Sequence, residues 1–149
     1  MRRLGISVVV GVAVIGRLTA PLESQTQPAG YIKIVMGAGI ILRAGGELPA
    51  RPGEAVYQDD GLRTGTDGHL GVTLKDDSRL SLGPNTEARL DRFLFAPAST
   101  GVGLAVSVLR GIAAYISGQI AKLSPDSVRL ETPNAILGIR GTHVVMRVD

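Results

Sequence analysis

Residues 59–86 read DDGLRTGTDGHLGVTLKDDSRLSLGPNT, and the spacing within this stretch restricts the fold more than any other part of the chain. Leu70, Val72 and Leu74 alternate with polar or small residues, and Leu80 and Leu82 do so again. A period of two sends alternate side chains to one face of a strand, so each run reads as a short, half-buried strand. Asp67-Gly68, Asp76-Asp77-Ser78 and Gly83-Pro84-Asn85 separate the runs. Glycine accepts positive φ without a steric penalty, and aspartate hydrogen-bonds its own turn backbone. The five aspartates of the stretch are turn-makers first.

The pattern continues on both sides. Tyr31 to Met36 alternates imperfectly but is rich in β-branched residues, and Gly37-Ala38-Gly39 turns it into a second short strand at Ile40-Ile41-Leu42. Those glycines lack the third glycine and the following helix of a dinucleotide fingerprint. Prolines and glycines punctuate residues 45–53, so strands there must be short or lie at edges. Thr86 to Phe95 reads as a strand with Ala88 and Leu90 on one face. Phe93 and Phe95 then follow in the charged register, which requires either a bend near Asp91 or an exchange of faces. Residues 96–103 form a loop. Residues 104–117 read as two strands, 104–109 and 112–117, broken at Arg110-Gly111, with a short helix as the alternative. Ser127 to Glu131 and Thr142 to Val148 complete the set, the last with Val144, Met146 and Val148 facing one way and His143, Val145 and Arg147 the other.

Many short strands, with turns about every ten residues, describe an all-β domain. The near repetition of apolar-x-apolar-turn along residues 62–90 suggests coils stacked as in a solenoid, and a compact sandwich is the competing geometry.

Composition narrows the function classes. Aromatic residues make up 3% of the 149 residues and tryptophan is absent, so stacking platforms for sugars or unpaired bases are scarce. The formal charge of +3 is concentrated at the start, where Arg2, Arg3 and Arg17 oppose only Glu23. From Tyr31 onward thirteen basic and twelve acidic residues are interspersed, which leaves no basic stripe for nucleic acid. The absence of cysteine excludes disulfides, thiolate metal sites and a cysteine nucleophile.

Arg2-Arg3 precedes an uncharged apolar run from Leu4 to Gly16. That length suits the core of a signal peptide and is too short to cross a hydrocarbon layer of about 30 Å as a helix. The expected organisation is a signal peptide over residues 1–20, with cleavage as late as residue 30, a flexible lead-in over 21–30, and a β domain over 31–149. An uncleaved anchor or a mis-assigned start is the alternative. The expected location is periplasmic or secreted, with membrane contact only through the leader before cleavage.

No constellation selects a reaction. Asp59, Asp60, Asp67, Asp76 and Asp77 invite a calcium site, yet neither EF-hand spacing nor glycine-aspartate nonapeptides are present. His69 and His143 are the only histidines, and both sit at strand starts. No Gly-x-Ser-x-Gly elbow is present. No catalytic residue, metal ligand or cofactor is therefore assigned, and a small periplasmic hydrolase or calcium-dependent protein with an unrecognised site stands as the alternative. The most distinctive polar feature is Gly138-Ile139-Arg140-Gly141-Thr142. A guanidinium between two glycines has room for a bidentate contact with a carboxylate, either an internal one such as Asp60 or a partner's.

Five pieces in order carry a family resemblance: Asp60 with Leu62-Arg63-Thr64-Gly65, Asp76-Asp77-Ser78-Arg79-Leu80, Leu82-Gly83-Pro84-Asn85-Thr86, Thr132-Pro133, and Gly138-Ile139-Arg140-Gly141-Thr142. Together they resemble the FecR domain, the periplasmic module of ferric-citrate-type sensory regulators that occurs also in many other bacterial envelope proteins. The resemblance extends from about Gly30 to Asp149. It implies a solenoid-like β fold and a non-enzymatic module that binds, senses or scaffolds within a signalling pathway through an envelope protein partner. Asp60, Thr64, Arg140 and Thr142 are the candidate partner-binding or structural residues. Full-length regulators of this kind also carry a cytoplasmic sigma-factor-binding segment, a membrane helix and a further domain, so this chain is expected not to relay a signal across the inner membrane unaided. Asp77 stands where a glycine is usual, which is expected to weaken that hairpin. Iron enters only through the family name.

Overall fold

A computed structural model describes residues 27–139 and 141–149. The expected signal peptide and Arg140 lie outside the described residues. Twelve strands follow in chain order: β1 Gly30–Met36, β2 Gly39–Arg43, β3 Gly46–Pro49, β4 Ala55–Val56, β5 Gly61–Thr64, β6 His69–Leu74, β7 Arg79–Leu82, β8 Glu87–Ala96, β9 Gly101–Ile116, β10 Val128–Thr132, β11 Ala135–Gly138 and β12 His143–Val148. A single turn of helix, α1 (Gln119–Leu123), and a 3-10 turn at Pro125–Ser127 connect β9 to β10. The all-β expectation holds.

The strands form one curled sheet with two wings that share β9. One wing runs β4-β1-β6-β7-β9-β12 and the other β3-β2-β5-β8-β9-β10-β11. Every ladder is antiparallel except β9 with β10. Successive coils of a solenoid would pair in parallel, whereas these strands form one curled, largely antiparallel sheet, a geometry distinct from both the solenoid and the two-sheet sandwich left open by the sequence. The alternating leucines and valines of the opening stretch (Leu70, Val72, Leu74, Leu80, Leu82) are buried in one core with Ile41, Leu62, Ala88, Val106, Val108 and Leu130 of the other wing. Full burial of each such side chain contributes roughly 1.5–3 kcal/mol.

The expected break at Arg110-Gly111 is a bend within a single sixteen-residue strand. Gly111 has φ of +90°, which turns the chain without ending the ladder. Before it β9 pairs with β8 and β10, and after it with β7 and β12. Neither two separate strands nor a helix forms at 104–117. The described helix lies just beyond, at α1, where five residues are too few to show a period in the sequence. Near Asp91 the register of β8 against β9 shifts between Leu90 and Arg92. This bulge lets Ala88 and Leu90, and then Phe93 and Phe95, pack against the same core.

A second bulge shapes the surface. The β1–β6 register shifts between Ile32 and Ile34, so Ile32 is buried while Ile34 and Met36 stand on the outer face. The imperfect alternation of Tyr31–Met36 is this bulge.

Candidate functional site

The corner before β5 is built around Asp60, which is 2% exposed. Its Oδ1 accepts a hydrogen bond from Arg43 Nε at 2.9 Å, and its Oδ2 accepts from Arg43 Nη2 and from the Tyr57 amide, both at 2.8 Å. Arg43 also donates to the Ala55 carbonyl at 3.1 Å and lies 4.7 Å from the centroid of the Tyr57 ring. The Asp60 hydrogen bond, with the attraction of its charge, raises the Arg43 pKa above the ordinary arginine value. Both carboxylate oxygens of Asp60 are thus engaged within the fold by Arg43. This fork ties the end of β2 to the approach to β5, and charge-assisted contacts of this geometry are among the stronger polar ones.

Thr64, at the end of β5, joins two motif pieces. Its hydroxyl donates to the Gly83 carbonyl at 2.6 Å and accepts from the Thr86 amide at 2.9 Å. The Thr86 hydroxyl in turn accepts from the Ile112 amide at 3.0 Å, at the bend of β9. A Cβ added to Gly111 would lie 2.3 Å from that hydroxyl oxygen and 2.5 Å from the Thr86 Cα. Thr86 therefore fits only because residue 111 is glycine.

The third corner is Asp76-Asp77-Ser78. The Asp76 carboxylate accepts from the Ser78 amide at 3.1 Å, from the Ser78 hydroxyl and from the Ile120 amide at 3.3 Å, while the Asp76 carbonyl accepts from the Gln119 amide at 2.7 Å. The β6–β7 hairpin is thereby docked onto α1. Asp77 has φ of +67°, the left-handed conformation in which glycine is at ease. Its carboxylate accepts from Gln119 Nε2 at 2.7 Å, which adds a contact that glycine would lack. Tyr115 is buried beside this corner, and its hydroxyl has no hydrogen-bond partner among the described residues. Burial, reinforced by the Asp76 charge, pushes its pKa up to about 12.

The three candidate residues that are described, Asp60, Thr64 and Thr142, are not brought together as a surface site. Asp60 and Thr64 are buried in separate corners, and Thr142 is exposed, its carbonyl accepting from the Ser117 amide at 2.9 Å. Arg140 lies outside the described residues. His69 and His143 are both exposed, on β6 and β12, with β7 and β9 between them. Three inter-strand steps of about 4.8 Å keep their backbones too far apart for one ion. Among the described residues no group of three histidines or carboxylates is placed to hold a metal.

What the sequence reading missed is an apolar surface on the outer face of the β4–β12 wing. Cross-strand register places Ile34, Gly71, Ser81, Ala114 and Val145 in one row across β1, β6, β7, β9 and β12. Gly71, Ser81 and Ala114 form a low floor, while Ile34 (57% exposed) and Val145 (60% exposed) rise at its two ends. Met36 and Leu82 help line a shallow groove of about 310 Å³ at the Ile34 end. A Cβ on Gly71 would lie 3.3 Å from the Ile34 Cβ, so the glycine keeps the floor low. The available signal was the broken alternation in β1 together with Val145 standing between His143 and Arg147 on one face of the last strand.

A family model described as FecR protein matches residues 60–149, more than half of the chain, and its first matched residue is the Asp60 of the Arg43 fork. No curated protein and no solved structure gave a significant match. Among the described residues no helix is long and apolar enough to cross a membrane.

Proposed function

The chain belongs to the FecR family of regulatory, sensing proteins, and from that premise we propose that it is an exported, non-enzymatic binding or sensing domain of the bacterial envelope. Residues 1–20 are its signal peptide, and the folded unit spans 31–149. Its partner is another envelope protein, recognised by contact with the outer apolar face. The observation that carries this reading is the row Ile34–Gly71–Ser81–Ala114–Val145, an uncharged strip whose two ends are exposed aliphatic side chains. Uncharged, low-relief apolar strips of this kind favour a protein surface over a charged small molecule.

Cell fractionation with sequencing of the mature N-terminus tests the export half. A chain retained in the cytosol with its first residues intact sinks it. Site-specific photo-crosslinking tests the other half. Probes at Ile34 and Val145 are expected to capture the same envelope protein, a probe at exposed Arg51 is expected not to, and Met36→Glu is expected to abolish the capture. Equal capture from all three positions, or capture unaffected by Met36→Glu, removes the outer face from the account.

A further inference from the structure

Among the described residues the curled sheet has four edge strands, and three carry a feature that discourages pairing with another chain. β3 has Glu47, bound to Arg63 at 2.7 Å, and ends at Pro49. β4 is two residues long. β12 presents His143 and Arg147 on its exposed side. Short length, charge and proline are the usual ways in which natural sheets blunt an edge. β11 is also short, at four residues, but it carries neither a charge nor a proline. It reads Ala-Ile-Leu-Gly, all four residues are exposed, and among the described residues it pairs only with β10. Ile136 is 67% exposed on the outer face. Leu137 is 36% exposed at the open end of the buried row Leu90–Val106–Leu130. The core of this wing therefore reaches the edge of the molecule and stops there half covered.

We propose that β11 pairs antiparallel with β11 of a second copy, joining the two wings into one continuous sheet across a two-fold axis. This goes beyond the proposed function and does not depend on it. The register follows from the pleat. Residues directly opposite each other must share a face, so a two-fold pairing centred on Ile136 places Ile136 against Ile136 on the outer side. On the core side it places each Leu137 against the partner copy's Ala135, a large residue against a small one. That contact prolongs the buried row and covers the half-exposed leucine. Among the described residues the neighbouring charges, Arg129 and Glu131, lie 3.7 Å apart and offset each other. A four-residue edge buries less than the roughly 800 Å² per partner of a standard interface, and the dimer is accordingly weak and concentration-dependent.

Sedimentation velocity on the purified full chain over a wide concentration range is expected to show a monomer–dimer equilibrium, with β11 amides gaining hydrogen-exchange protection as dimer forms. Ile136→Lys, at a position with no packing role in the monomer, is expected to weaken dimerisation by about tenfold or more because it sets like charges opposite each other. Val145→Lys, on the other wing, is expected to leave it unchanged. Because the chain has no cysteine, Ile136→Cys introduces its sole thiol. Mild oxidation should link that variant into dimers while leaving Val145→Cys monomeric. The proposal is overturned by a wild-type chain that stays monomeric throughout, which leaves the edge to another protein's strand. It is equally overturned by a dimer indifferent to Ile136→Lys, or by equal cross-linking from both cysteine positions.

Discussion

Residues 59–86 and residues 128–148 are both made of short strands and tight polar turns, but the first buries polar side chains whereas the second leaves apolar ones exposed. In the first, Asp60, Thr64, Asp76, Ser78 and Thr86 are buried, and each is hydrogen-bonded to a backbone group or side chain within the fold. In the second, all four residues of β11 are exposed and only Met146 of β12 is fully buried. Asp60, Thr64 and Asp76, which look like part of a ligand site in the sequence, are hydrogen-bonded within the fold and act there as fasteners. The surface proposed for recognition is instead apolar, a sheet face and a strand edge. A buried carboxylate with a satisfied hydrogen-bond set specifies a turn, whereas an exposed isoleucine on an open edge has nothing within its own chain to account for it.

Substitutions can break or sharpen this contrast. The largest effect is expected from Gly111→Ala, which combines a strained φ with a contact of 2.3 Å to the Thr86 hydroxyl. A loss of about 3 kcal/mol or more is expected in denaturant unfolding. A loss under about 1 kcal/mol would show that the bend of β9 is not locked by Thr86.

Asp60→Ala is expected to cost about 2–3 kcal/mol, less than a fully buried ion pair because Arg43 is partly exposed. A double-mutant cycle with Arg43→Ala should then show strong coupling. Additive losses would mean that the two residues act independently.

Tyr115 makes stability depend on alkaline pH. Its folded-state pKa of about 12 lies above the unfolded value of about 10. Between these values the folded chain holds a proton that the unfolded chain has released, so stability falls as pH rises. The contribution is complete below pH of about 10, and roughly 2–3 kcal/mol is lost by pH of about 12. Tyr115→Phe should leave stability at neutral pH within about 1 kcal/mol, because the hydroxyl has no partner to lose, and should remove this part of the alkaline decline. An unchanged decline would place the titrating group elsewhere.

Thr64→Val should cost about 1–2 kcal/mol by stranding the buried Thr86 amide. The smallest effects belong to the outward region, where Ile136→Lys and Val145→Lys should each change monomer stability by no more than about 0.5 kcal/mol. Losses as large as that of Asp60→Ala would erase the distinction between fasteners and recognition surface.

Much of the strand pattern was legible because burial on one face of a strand imposes a period of two. Leu70–Leu74, Leu80–Leu82 and Val144–Val148 were placed correctly from alternation alone, and the conflict in register at Phe93 pointed to the bulge at Asp91. The partner of Asp60 was less accessible. Arg43 lies seventeen residues upstream in a segment whose local pattern shows only a strand end, and nothing local marks one arginine over the others. Helix α1 was hidden because its anchor, the Asp76 carboxylate, is forty-four residues away from the Ile120 amide it accepts from.

Alternation, turn chemistry and the absence of cysteine and tryptophan were enough to establish a strand-dominated, disulfide-free domain with acidic turns, since these are local preferences that act residue by residue. The tertiary structure decided which strand lies beside which, and hence that Ile34 and Val145 share a row and that Ile136 stands on an open edge. Those relations depend on register shifts in the β1–β6 and β8–β9 ladders and on one glycine bend that reorients a continuous strand. Each shifts a register by a single residue or a single dihedral angle, too small a change to leave a period in the sequence, yet it moves every side chain beyond it to a different face.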